Sequence, residues 1–92
     1  MHSTNVAKTY IVFYQSKVSN LISNPQIFST RDNREEAEIA FEKAKLLLKN
    51  QNNDELLSYF HSTHVCRILL SEYKNSDSGC QECGTIISEF KL

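Results

Sequence analysis

Between residues 33 and 50 the apolar side chains Ala37, Ala40, Phe41, Ala44, Leu47 and Leu48 recur at three- and four-residue intervals. That spacing lines them up on one stripe of an α-helix, and a strand would scatter them over both faces. Asp32 or Asn33 stands where the helix needs an N-cap, with Glu35 or Glu36 three residues on in capping-box position. Glu35, Glu36 and Glu38 crowd the start and Lys45 and Lys49 the end, as the helix dipole favours. The polar run Asn50, Gln51, Asn52, Asn53 stops the helix. A helix with one apolar stripe must bury it against a second layer, and the rest of the chain has to supply that layer.

Four segments carry strand composition. Residues 8–15 (KTYIVFYQ) are β-branched and aromatic, with Tyr10, Val12 and Tyr14 on one face and Ile11 and Phe13 on the other. Residues 16–25, rich in Ser and Asn, read as a loop or a long ragged hairpin, and 26–30 (QIFST) as a short strand returning beside the first. Residues 63–74 follow, with Cys66, Ile68 and Leu70 toward the helix and Val65, Arg67, Leu69 and Tyr73 away from it. The last strand, 85–91, sets Ile86 and Phe90 on one face and Ile87 on the other. Residues 54–60 read as a short helical turn capped by Asp54, with Leu56, Leu57 and Phe60 together. The expected fold is one α+β domain over residues 1–92, in β(β)αββ order. One long helix lies across one face of a small, mainly antiparallel sheet of three to four strands. The opposite sheet face stays open, with Tyr10, Tyr14, Arg67 and Tyr73 expected there.

Composition narrows the functional classes. With 92 residues the core is thin, and a deep substrate pocket is hard to build. The formal net charge of −1 disfavours both a strongly basic nucleic-acid binder and an acidic nucleic-acid mimic. Residues 1–34 hold Lys8, Lys17, Arg31 and Arg34 against Asp32 alone, and the remainder is net acidic. A nucleic-acid module would therefore use this basic N-terminal part, with tyrosines of the open sheet face stacking bases. No apolar run approaches the ~18 residues of a membrane span. No basic stretch followed by an apolar one opens the chain, and three cysteines make an odd set. The expected compartment is the cytoplasm.

Chemistry-bearing motifs are few. Cys80 and Cys83, flanked by Gly79 and Gly84, have the C-x-x-C spacing that lets two thiolates chelate one zinc ion. If 63–74 and 85–91 form a hairpin, these cysteines sit at its tip. His64 then lies roughly 33 Å away and cannot complete a site within one chain. No cofactor is expected, and Cys80 and Cys83 are the residues to test if one is held. His61, His64 and Cys66 do not make a nucleophile and base, because Cys66 falls among core residues. No G-x-S-x-G, phosphate-binding glycine loop or H-E-x-x-H occurs, so the chain reads as non-catalytic.

The helix also has a back. Ile39 and Leu46 project roughly opposite the apolar stripe, about 10 Å apart along the axis, among Glu35, Glu42, Lys43 and Lys49. Two large aliphatics inside a charged rim have the makings of a contact patch. The alternative is that segment 16–25, with Val18, Leu21 and Ile22, folds over them. In size and element order the chain resembles short proteins encoded by phages and plasmids, several anti-CRISPR proteins among them. The resemblance implies a non-enzymatic inhibitor or adaptor that sterically blocks a larger bacterial nucleic-acid-processing complex. The expected contacts are Ile39, Leu46, Glu42 and Lys43 on the helix and Tyr10, Tyr14, Arg67 and Tyr73 on the sheet. A homodimer is the other association expected.

Overall fold

A computed structural model describes residues 8–74 and 84–92. The chain is α+β: β1 (Lys8–Val18), β2 (Leu21–Ile22), β3 (Gln26–Arg31), α1 (Arg34–Asn50), α2 (Asn53–Phe60), β4 (Val65–Lys74) and β5 (Thr85–Lys91). All pairings are antiparallel, in the order β2-β1-β4-β5, with β3 also paired to β1. The sheet is therefore built around β1.

The residues of α1 that leave solvent are Ala37, Ala40, Phe41, Ala44, Leu47 and Leu48, the stripe that the spacing predicts. Of the two candidate caps Asn33 acts, its Oδ1 accepting from the amides of Glu35 (2.7 Å) and Glu36 (3.3 Å). Gln51 ends the helix in the left-handed conformation, its N–H donating to the Leu47 carbonyl.

Two helices rather than one cover the sheet. Residues 53–60 form a second helix, capped by Asn52 and not by Asp54; the Asn52 side chain accepts from the Glu55 amide at 3.1 Å. Leu56 and Phe60, four residues apart, are buried, while Leu57 turns outward. Phe60 packs edge-on against Tyr14 (ring centroids 5.0 Å) and in a tilted pair with Phe28 (5.1 Å), which seats α2 on the same sheet face as α1.

Three β-bulges reassign faces that simple alternation sets otherwise. Between β1 and β3, Val12 faces Ser29 and Phe13 faces Ile27, so Phe28 is the extra residue and packs on the core. Between β1 and β4, Gln15 faces Arg67 and Ser16 faces Val65. Cys66 is extra there: it is half-buried, its thiol donating to the Gln15 carbonyl at 3.5 Å, and Val65 takes the core position instead. Between β4 and β5, Leu70 faces Ser88 and Ser71 faces Ile86. Ile87 and Phe90 both pack on the core, and Ile86 is exposed on the other side. Each bulge adds local twist, and together they curl the sheet around α1.

Tyr10 and Tyr14 correct the expected placement most sharply. Each is only 7% exposed and belongs to the core with Val12, Ile68 and Leu70. The register explains it: Val12 pairs with Leu70 and Tyr14 with Ile68, so the tyrosine face of β1 continues the helix-covered face of β4. Ile11 and Phe13 lie on the opposite face with Leu69 and Tyr73. Among the described residues both helices pack on the tyrosine side. No helix there is long and apolar enough to cross a membrane.

Candidate functional site

The sequence-derived contact residues do not come together. Ile39, Glu42, Lys43 and Leu46 gather on the back of α1. Arg67 and Tyr73 lie on the far side of the sheet, with the whole core between. Tyr10 and Tyr14 are inside it.

Arg67 is already engaged. Its Nε donates to the Glu89 carboxylate across β4 and β5, and its Nη1 donates to Gln15 Oε1 at 3.0 Å. Gln15 passes the chain on, its Nε2 donating to the Ser23 carbonyl at 3.0 Å. This network ties three strands and a loop, and it holds the guanidinium against Glu89, whose carboxylate offsets its charge toward a phosphate. Tyr73 meets Phe13 edge-on at 6.3 Å. A stacking platform of tyrosines on the open face is therefore not formed. Tyr10 titrates above an ordinary phenol because burial, then the facing Glu72 carboxylate, disfavour its ionised form, with Arg34 pulling weakly the other way.

The back of α1 is a coherent surface. Ile39 is 70% exposed and Leu46 58%. With Glu35, Glu38, Glu42 and Lys43 they line a shallow, mostly apolar groove of about 600 Å³. Segment 16–25 does not cover it, for Val18, Leu21 and Ile22 are themselves exposed at the end of the β1–β2 hairpin. The rim is held by short-range pairs along the helix: Glu42 with Lys45 at 3.1 Å and Glu38 with Arg34 at 3.0 Å. Such exposed pairs fix side-chain positions more than they stabilise the fold.

A second concavity of about 540 Å³ adjoins it between β3, α1 and α2. Phe28, Ala40 and Ile39 give it apolar walls, Tyr59 closes one side, and Arg31 and Lys43 stand at its edge. Lys43 Nζ sits 4.6 Å from the centre of the Tyr59 ring. Sequence reasoning missed Phe28 and Tyr59 and placed Arg31 only among the bases of the N-terminal part, since nothing in their spacing brings β3 beside α2.

Cys80 and Cys83, the candidate zinc thiolates, lie outside the described residues; among those described, no three His, Cys, Asp or Glu side chains converge on a point. Comparison with protein-family models, curated proteins and solved structures finds no match.

Proposed function

We propose that this chain is a small non-catalytic protein-binding module whose contact surface is the back of α1. The observation that carries the reading is the exposure of Ile39 and Leu46 on a helix whose other face is fully engaged. Water gains nothing from holding two large aliphatics in a charged rim, and a partner that covers them gains their burial. The likeness in size and element order to short phage and plasmid proteins supports the narrower reading. In it, the partner is a larger bacterial nucleic-acid-processing complex, and the chain acts on it sterically as an inhibitor or adaptor. The nucleic-acid alternative loses its main support with Tyr10 and Tyr14 in the core and Arg67 held by Glu89 and Gln15.

The test is the double variant Ile39→Glu, Leu46→Glu. Both side chains already face solvent, so stability changes by no more than about 0.5 kcal/mol for each. Two carboxylates placed in an apolar contact cost that contact several kcal/mol, roughly. Proteins retained by the tagged wild-type chain from its host should be lost from the folded variant. Self-association, followed by light scattering, should be lost with them if the partner is a second copy. A folded double variant that retains the same partner removes this surface from consideration.

A further inference from the structure

The cleft between β3, α1 and α2 shares Ile39 and Lys43 with the back of α1 but has a chemical bias of its own. Among the described residues most cations have a carboxylate close by: Lys8 with Glu72, Arg34 with Glu38, Lys45 with Glu42, and Arg67 and Lys91 with Glu89. Among the described residues Lys17, Arg31, Lys43 and Lys49 have none within 4.0 Å, and of these four Arg31 and Lys43 line this cleft. They come from different elements, Arg31 from the end of β3 and Lys43 from the middle of α1. Arg31 Nη1 is used locally, donating to the Thr30 carbonyl at 3.0 Å, and the other guanidinium hydrogens are not. Lys43 is held at the edge by the face of Tyr59. One acid, Glu36, also lines the cleft and is paired with neither cation.

Two further observations bear on what the cleft takes. Ser29, in its wall, carries the one buried side-chain polar atom among the described residues that has no hydrogen-bond partner. An unused buried hydroxyl is costly, and this one belongs to a residue of the cleft wall. The amides at the start of α1 are not what attracts an anion, because Asn33 already accepts from Glu35 and Glu36. The volume, about 540 Å³, suits a small ligand or one terminal residue of a peptide.

We propose that this cleft binds a carboxylate carried on an apolar body, the carboxylate between Arg31 and Lys43 and the body against Phe28, Ile39 and Tyr59. An uncharged apolar ligand would leave both cations uncompensated, and a bare inorganic anion would leave the apolar walls wet. An alkyl or aryl acid satisfies both, and so does the C-terminal residue of a chain with its free carboxylate.

The probes are 4-phenylbutyrate and its amide, and an acetylated tetrapeptide ending in Leu-Phe with a free or an amidated C-terminus. Binding is followed by calorimetry and by amide chemical shifts. At least one acid should bind about tenfold more tightly than its amide and shift the amides of Ser29, Arg31, Lys43 and Ser58. Arg31→Gln and Lys43→Gln should each weaken it about tenfold, while Lys17→Gln, away from the cleft, leaves it unchanged. Binding of phenylbutyrate would mark a free organic acid as the source, and binding of the peptide alone a chain terminus; either supports the assignment. Equal binding of acid and amide overturns it, as does no saturable binding of either acid up to about 10 mM. Leu46→Glu lies outside the cleft, so a variant that loses the protein partner but keeps the acid separates this site from the docking surface of α1.

Discussion

The ring of Tyr73 lies against the α-carbon of Gly84, so closely that a β-carbon at Gly84 would come within 2.5 Å of the ring's Cζ. Its neighbour Phe13 meets the ring edge-on at 6.3 Å, so moving the ring disturbs that contact. Gly84 is needed here for closeness. Gly84→Ala should therefore cost about 1–3 kcal/mol, the usual range for overpacking. In a Tyr73→Ala background the same change should be neutral or slightly stabilising, since alanine leaves the unfolded chain less entropy to lose than glycine does. Urea denaturation of the four proteins in this cycle measures the coupling, and equal effects in both backgrounds would show that the ring yields at no cost.

Phe60 tests whether α2 is part of the core or an ornament on it. It is among the largest fully buried side chains, and its ring touches both Tyr14 of β1 and Phe28 of β3. Phe60→Ala should cost about 3–5 kcal/mol, as much as Phe41→Ala at the centre of the α1 stripe. Leu57→Ala on the exposed side of the same helix should cost a small fraction of that. Midpoints of chemical unfolding compare the three directly.

Alkaline pH should find Tyr10. Its folded pKa is raised above 10.0 by burial and by Glu72, so the folded state keeps a proton that the unfolded state gives up. Well below pH 10 both states are protonated and the group adds no slope. Above it the unfolded state binds fewer protons, and stability falls as pH rises. Tyr10→Phe removes that contribution, so unfolding free energies between about pH 9.5 and 11.5 should fall less steeply for the variant than for wild type. Parallel curves would mean that the hydroxyl ionises alike in both states.

What could be read from the sequence, and what could not, divides along physical lines. The stripe of α1 and its back, with Ile39 and Leu46, were legible because a helix of seventeen residues repeats its period several times. Strand alternation correctly grouped Tyr10 with Val12 and Tyr14, but alternation is silent on which group faces the helices. Only the pairing of Tyr14 with Ile68 decides that, and pairing is a long-range fact. The bulges at Phe28, Cys66 and Ile87 are single-residue insertions with no compositional mark. Each one shifted the reading of the residues beyond it. The cleft was illegible for a third reason: Arg31, Lys43 and Tyr59 belong to three elements that meet only in the folded chain.

Segment 16–25 yields a last prediction. Val18 and Leu21 are paired across a two-residue turn in which Ser19 (φ 52°) and Asn20 (φ 68°) both have positive φ. That is the pattern of a type I′ hairpin, whose twist matches that of the strands. Asn tolerates this conformation; Ser does so less well, and Asn-Gly is the best pair for it. The hairpin is fastened at its base, where the Ser23 amide donates to the Ser16 carbonyl at 2.8 Å and the Ser16 amide to Ser23 Oγ at 3.0 Å. Beyond that clamp Val18, Leu21 and Ile22 are exposed, so the tip can open without disturbing the core. Changing Ser19→Asn with Asn20→Gly should then raise protection of the Ser23 amide from hydrogen exchange about fivefold, a gain of roughly 1 kcal/mol in local closure. Asn20→Val, β-branched at a positive φ, should lower it by at least as much. Global unfolding starts from the closed state, so its free energy should rise by about 1 kcal/mol in the first variant and fall in the second, while protection of the core amides stays well above that of Ser23. A Ser23 amide protected as strongly as the core amides in wild type would show instead that the hairpin and the core unfold as one unit.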